Sequence, residues 1–187
     1  MRYIIGISGA SGGVYGARLF QKLQETGNIV ELIMTPYGKE VMRMEAGIDP
    51  SVIEEIADEV YQDSDLAAPP ASGSHLVDGM IICPCSMSTL SKIATGISDT
   101  LITRAAAVCL KEHRKLIIVP RETPLSSVYL RNMLTLAEAG AIILPPSPAF
   151  YHKPTSMKHL VDFIIGKILD SLGVEHDLFP RWDSKDR

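Results

Sequence analysis

Residues 7–20 read ISGASGGVYGARLF: the end of an apolar strand, a turn with four glycines and two serines, and the first half of an amphipathic helix. Upstream, Tyr3–Ser8 is an apolar run without in–out alternation, as expected of a strand buried on both faces. Downstream, Val14, Ala17, Phe20 and Leu23 return near one face of a helix predicted over Val14–Glu25. The stretch is therefore a β–turn–α unit. Its glycines, at 9, 12, 13 and 16 after Gly6, fit neither G-x-G-x-x-G nor a P-loop. Such a turn suits a small anion, because glycines let backbone N–H groups approach and helix N-termini favour negative charge. Tight strand-to-helix turns also need glycine when they bind nothing.

The pattern repeats along the 187 residues. Strands are predicted at Val30–Met34, Gly79–Cys83, Lys115–Val119 and Ala141–Leu144. Helices are predicted at Tyr37–Met44, Ser51–Val60, Met87–Ala94, Thr100–Lys111, Ser126–Ala139 and Met157–Leu172. In the second of these Ser51 is read as N-cap and Glu54 completes a capping box. Unalternating strands separated by helices call for an α/β fold: one domain over 1–187, with a doubly wound parallel sheet and helices on both faces.

Composition narrows the function. A net charge of −4 with no Lys/Arg cluster argues against nucleic acid as partner. Apolar runs of strand length and no charged leader argue against a membrane, so a soluble, unprocessed, cytoplasmic protein is expected. Three cysteines in such a chain are expected to be reduced thiols. No histidine spacing matches a metal motif, so no metal site is expected.

Ligands of such sheets sit beyond the carboxyl ends of the strands. Those ends carry Ser8-Gly9-Ala10-Ser11-Gly12-Gly13, Thr35-Pro36, Pro84-Cys85-Ser86-Met87-Ser88-Thr89, Pro120-Arg121-Glu122-Thr123-Pro124 and Pro145-Pro146-Ser147-Pro148. Arg121 with Glu122 offers a bidentate fork for phosphate beside an acid or base, the plain alternative being a solvated surface pair. Tyr151 is a further possible donor to an anion, or simple packing.

Together these segments resemble the UbiX family of flavin prenyltransferases. The resemblance is carried by Gly6–Gly12, Ala68-Pro-Pro-Ala-Ser-Gly-Ser74, Cys83-Pro-Cys-Ser86 with Thr89-Leu-Ser91, Arg104-Ala-Ala, Leu110-Lys-Glu112, Pro120–Leu125, Pro148-Ala-Phe-Tyr-His152 and Asp177–Trp182. It runs nearly end to end in order and spacing. It implies a Rossmann-like domain that transfers a dimethylallyl group from dimethylallyl phosphate or pyrophosphate to reduced FMN, giving prenylated FMN for UbiD-type decarboxylases. It further implies FMN contacts from Gly9, Ala10, Ser11, Thr35, Ser86, Met87, Ser88, Thr89 and Arg121. Donor contacts would come from Lys111, Arg121, Glu122, Tyr151 and Lys167, with Glu122 and Ser11 catalytic. A homo-oligomer, a dodecamer in the family, is implied, with neighbours completing each pocket and the tail 173–187 packing on a neighbour. Two departures stand out: Lys167 replaces an arginine of several relatives, and Leu66 stands where some place tryptophan.

Two other readings share part of this pattern. A flavin-dependent cysteine-type decarboxylase would resemble a Pro-Ala-Ser-Ala-Asn-Thr motif and carry a histidine soon after the first strand, whereas here Pro84–Thr89 differs and no histidine precedes His75. A non-catalytic flavin carrier, or small subunit of an aromatic acid decarboxylase, would return FMN unmodified.

Overall fold

A computed structural model of the chain describes residues 1–182. Six strands, β1 (Arg2–Ile7), β2 (Ile29–Met34), β3 (Glu59–Gln62), β4 (Gly79–Cys85), β5 (Lys115–Pro120) and β6 (Ile142–Ile143), form one sheet in the order β3-β2-β1-β4-β5-β6. Every pairing is parallel. The helices are α1 (Gly13–Glu25), α2 (Pro36–Val41), α3 (Pro50–Ile56), α4 (Met87–Ala94), α5 (Leu101–Lys111), α6 (Ser127–Glu138) and α7 (Met157–Leu172). This is the expected single-domain, doubly wound architecture. The order of strands reverses at β1 and β4, which opens a crevice at their carboxyl ends.

Successive β1 residues feed opposite cores. Tyr3, Ile5 and Ile7 pack with Leu19, Phe20 and Leu23 of α1 and Ile164, Ile165 and Ile168 of α7. Ile4 packs with Met80, Ile82, Leu90 of α4, Ile102 of α5 and Leu136 of α6. Each such aliphatic side chain contributes roughly 1.5–3 kcal/mol by leaving water. Close approach of α1 to β4 depends on Gly16, where a Cβ would stand 2.5 Å from the Cys83 carbonyl oxygen.

Two segments depart from expectation. The helix predicted over Ser51–Val60 is shorter: Asp49, not Ser51, is the N-cap, its carboxylate accepting from Ser51 N, and the chain turns extended at Ala57. Val60 then lies in β3, an edge strand paired only with β2, whose β-branched and aromatic residues suit a sheet. The helix predicted over Tyr37–Met44 ends its α-helical part at Val41 and continues as a wider, π-type turn over Met42–Ala46, stopped by Gly47 at φ 62°.

Cys83, Cys85 and Cys109 are free and buried, and burial raises all three thiols, Cys109 to about 11. Among the described residues no group of His, Cys, Asp and Glu is arranged to hold a metal ion, and no helix is long and apolar enough to cross a membrane. Of the expected tail 173–187, residues 183–187 lie outside the described residues. Residues preceding them fold back on α7, with Phe179 buried against Gly166.

Candidate active site

Ser8, at the end of β1, joins the two strands that border the crevice. Its hydroxyl donates to the Pro84 carbonyl at 3.1 Å and accepts from Ser86 N at 2.7 Å. Beyond it the chain opens into two cavities that share the β1–α1 turn as a wall. The first, about 330 Å³, is lined by Gly9, Thr35, Ser86, Ser88 and Thr89, with Asp63 and Lys92 among its other walls. Ser86 caps α4, accepting from Thr89 N at 3.2 Å, and Thr35 caps α2, accepting from Gly38 N at 2.9 Å. The α4 N-terminus and a ring of hydroxyls therefore meet there, a setting suited to a phosphate with a polyhydroxyl chain. Gly9 is confined by Tyr37, since a Cβ at position 9 would fall 2.6 Å from Tyr37 Cβ. Ala10 is buried. Met87 turns its side chain into the core, which leaves only its backbone for a ligand.

The second cavity, about 290 Å³, brings together Ser11, Arg121 and Glu122, with Tyr15, Pro145 and Ser147 around them. Arg121 is fixed by its own N–H, donated to the Cys85 carbonyl at 3.2 Å, while its buried Nε has no protein partner among the described residues. An orphaned guanidinium nitrogen costs free energy unless a ligand satisfies it. The Glu122 carboxylate accepts from Thr123 N at 3.2 Å and otherwise faces the cavity. Burial holds the Tyr15 phenol above its ordinary value.

One contact has no counterpart in the sequence reading. Glu45, carried by the π-type turn, accepts from Ser11 Oγ at 3.0 Å and from Gly12 N at 2.8 Å. Gly12 caps α1 at φ 105°, a left-handed conformation that disfavours a side chain. Glu45 thus orients the Ser11 hydroxyl. Nothing in its spacing announces this, because the contact depends on a turn that a regular α-helical period would not make.

Three expected donor residues are not drawn to this cavity within one chain. Lys111 ends α5 beside the amino end of β5 and pairs with Glu112. Tyr151 lines a separate cavity of about 240 Å³ with His152, Lys153, Pro180 and Arg181. Lys167 lies on α7, half exposed, 3.4 Å from Asp170. The carboxyl half of α7 reaches the amino end of the sheet, where Lys115 Nζ donates to the Ser171 carbonyl at 2.7 Å. Leu66 is exposed.

A sequence profile of the flavoprotein family matches residues 1–169. The chain is 50% identical over 183 residues to the flavin prenyltransferase UbiX of Methanothermobacter thermautotrophicus, covering 98% of this chain and 96% of that protein. It superposes with a TM-score of 0.96 and 42% identity on a crystal structure of AnUbiX in complex with FMN and dimethylallyl pyrophosphate, covering 98% and 97% of the two chains. A dodecameric FMN-dependent UbiX-like decarboxylase from Escherichia coli O157:H7 gives the same TM-score at 40% identity, covering 98% of this chain and all of that one.

Proposed function

Since the chain belongs to the flavoprotein family and, within it, to the UbiX flavin prenyltransferases, we propose that it transfers a dimethylallyl group from dimethylallyl phosphate to N5 and C6 of reduced FMN. The product is prenylated FMN, the cofactor of UbiD-type decarboxylases. The observation that carries the reading is the convergence of Ser11, Arg121 and Glu122 on one cavity, beside a second built from Gly9, Thr35 and Ser86–Thr89.

The residues present fit FMN. Gly9 keeps clear a wall that a Cβ would crowd, the α4 N-terminus and the hydroxyls of Thr35, Ser86, Ser88 and Thr89 suit its phosphate and ribityl chain, and the buried Arg121 Nε lacks, among the described residues, a partner that a flavin or phosphate oxygen would supply. Ala10, Ser11 and the Met87 backbone complete that wall. Reduced flavin supplies the electron-rich π face and the nucleophile on which the prenyl group is accepted.

The protein's part is electrostatic. Breaking an allylic C–O bond leaves negative charge on phosphate, which Arg121 meets with a guanidinium whose backbone is anchored on the Cys85 carbonyl and whose buried Nε is open to a ligand. Bond formation at C6 requires loss of the C6 proton, which the Glu122 carboxylate facing this cavity would accept, with Ser11, its hydroxyl held by Glu45, helping to position the transfer. No metal is required for this scheme, because cationic side chains take the leaving-group charge.

Lys111, Tyr151 and Lys167 belong to the donor site through other copies of the chain. They lie apart from Arg121 and Glu122 within one chain, and a related protein is dodecameric. A homo-oligomer is accordingly part of the reading, in which the described tail residues, though folded back on their own α7, also meet a neighbour, and so is a cytoplasmic location. Mass spectrometry of the flavin after incubation with reduced FMN and either dimethylallyl monophosphate or pyrophosphate tests it. The expected result is a mass gain of one dimethylallyl unit without any added subunit. FMN recovered unchanged with both donors overturns the reading in favour of a carrier.

A further inference from the structure

Asp170 stands on α7 close after Lys167 and meets more cations than its single charge neutralises. Arg181 Nη1 and Nη2 donate to its two oxygens at 2.7 Å each, His176 Nε2 is 3.1 Å from Oδ1, and Lys167 Nζ is 3.4 Å from Oδ2. His176 Nδ1 accepts from Leu178 N at 3.2 Å, which leaves Nε2 as the ring nitrogen that donates to Asp170. Arg181 and Lys167 then compete for the carboxylate. A planar guanidinium grips a carboxylate at two points and an ammonium at one, so Arg181 takes the carboxylate. Lys167 keeps only the long contact, with 49% of its side chain exposed.

We propose that Arg181 is a positioning residue: by saturating Asp170 it keeps the Lys167 ammonium available for the phosphate of the prenyl donor. This rests on reading Lys167 as a donor-binding residue. It also gives the lysine at 167 a physical consequence, since an arginine there would compete for Asp170 with the same fork that Arg181 uses.

The tail is seated by contacts that do not involve the Arg181–Asp170 pair. Phe179 is buried, its ring 4.8 Å from that of Phe163, over Gly166, where a Cβ would collide with the Phe179 ring. Tyr151 lies against Pro180 and edge-on to Trp182, whose ring centroid is 5.2 Å away. The Arg181 guanidinium also lies over the Phe179 ring, 5.1 Å from its centroid. Burial of Phe179 and the Tyr151 contacts do not depend on it, so the tail is expected to stay in place when it is removed. Asp170 is then free to draw Lys167, three residues before it on the same helix, into a close pair.

Steady-state kinetics of the full-length protein with reduced FMN and dimethylallyl phosphate tests this. Arg181→Gln is expected to raise the donor KM about fivefold, the scale of an exposed ion pair, with kcat within about twofold. Adding Asp170→Asn to Arg181→Gln is expected to bring KM back to within about twofold of the parent, because no carboxylate remains to hold Lys167. Asp170→Asn alone should leave the donor KM near the parent value. An unchanged KM in Arg181→Gln, or a double variant no better than the single, overturns the proposal, since loss of tail structure would not be rescued by removing the second partner. Lys167→Met separates the two levels. If it leaves donor KM unchanged, the reading of Lys167 fails; if it raises KM while Arg181→Gln does not, only the role of Arg181 fails.

Discussion

The two ends of the sheet treat polar groups in opposite ways. At the amino end, Glu31 is fully buried and is met by Arg2 Nη1 at 2.5 Å and His75 Nε2 at 2.9 Å. Arg114 there gives its two terminal nitrogens to the carbonyls of His75 and Gly73 at 2.6 and 2.5 Å, and Asp78 accepts from Arg2 N at 2.6 Å. At the carboxyl end, the Arg121 Nε is buried without a partner among the described residues and Glu122 faces a cavity. One end uses its charges to hold loops. The other leaves them for a ligand, which is how a site differs from a scaffold made of the same residue types.

The sharpest way to break this contrast is to remove a charge from the open end. Glu122→Gln is expected to retain FMN, read by flavin absorbance after gel filtration, while product formation falls by about 10²-fold or more, the range of a lost proton-transfer group. Lys111→Ala should also fall steeply, though Lys111 lies at the opposite end of the sheet from Glu122 within its own chain. Co-expressed as mixed oligomers, the two variants should regain activity, because a pocket formed by an intact Glu122 and a neighbour's intact Lys111 reappears. No recovery would place Lys111 outside the site.

The same removal at the closed end should act on stability instead. Glu31→Gln leaves Arg2 and His75 facing a neutral amide in a buried position. Breaking a buried pair costs about 3 kcal/mol at the lower end of its range, which applies here because Arg2 is partly exposed. Urea unfolding measures it, and kcat of the folded fraction should be unchanged. A fall in kcat with intact stability would erase the distinction between the two ends.

How much of this was legible in the sequence depends on whether local signals decided the structure. Helices α4 and α7 occupy the predicted Met87–Ala94 and Met157–Leu172, because Ser86 and Ser156 are N-caps and Gly173 closes α7 in the left-handed region. The buried strands were legible for the same reason, through runs of Ile and Val between turn residues. Strand β3 was not, because an edge strand paired on one side shows no buried run, and the capping signal near Ser51 carried the helix too far. Glu45 was invisible because its approach to Ser11 is set by a π-type turn. Lys111 and Lys167 came from the resemblance alone, and Tyr151 was legible only as a possible donor to an anion: no periodicity reports which copy of a chain a side chain serves.

A smaller effect tests the floor of the open site. Gly9→Ala places a Cβ 2.6 Å from Tyr37 Cβ, so the turn or α2 has to shift. Overpacking of this kind costs about 1–3 kcal/mol, and because it falls on the cavity wall it should appear as FMN affinity weakened about tenfold rather than as unfolding. Flavin fluorescence titration reads the affinity, and a thermal melt separates it from loss of fold. Equal affinity would mean that Gly9 serves only the turn.

The smallest expected effect belongs to Asp170, which lies at neither extreme: its carboxylate is paired, yet a quarter of it meets solvent. The Arg181 guanidinium, first among its causes, lowers the Asp170 carboxyl from its ordinary 3.8 to about 2. A depressed carboxyl stabilises the folded state above the unfolded value and loses that contribution as pH falls through the folded one. The pair should thus contribute fully above about pH 5 and progressively less from about pH 4 toward pH 2. Discounted for exposure, the contribution is on the order of 1 kcal/mol. Asp170→Asn should be less stable than the parent by that amount at neutral pH, with the gap narrowing as unfolding is repeated at about pH 4 and pH 3. A gap that stays constant would show that the difference is one of packing, and that the Arg181–Asp170 charge pair contributes no stability of its own.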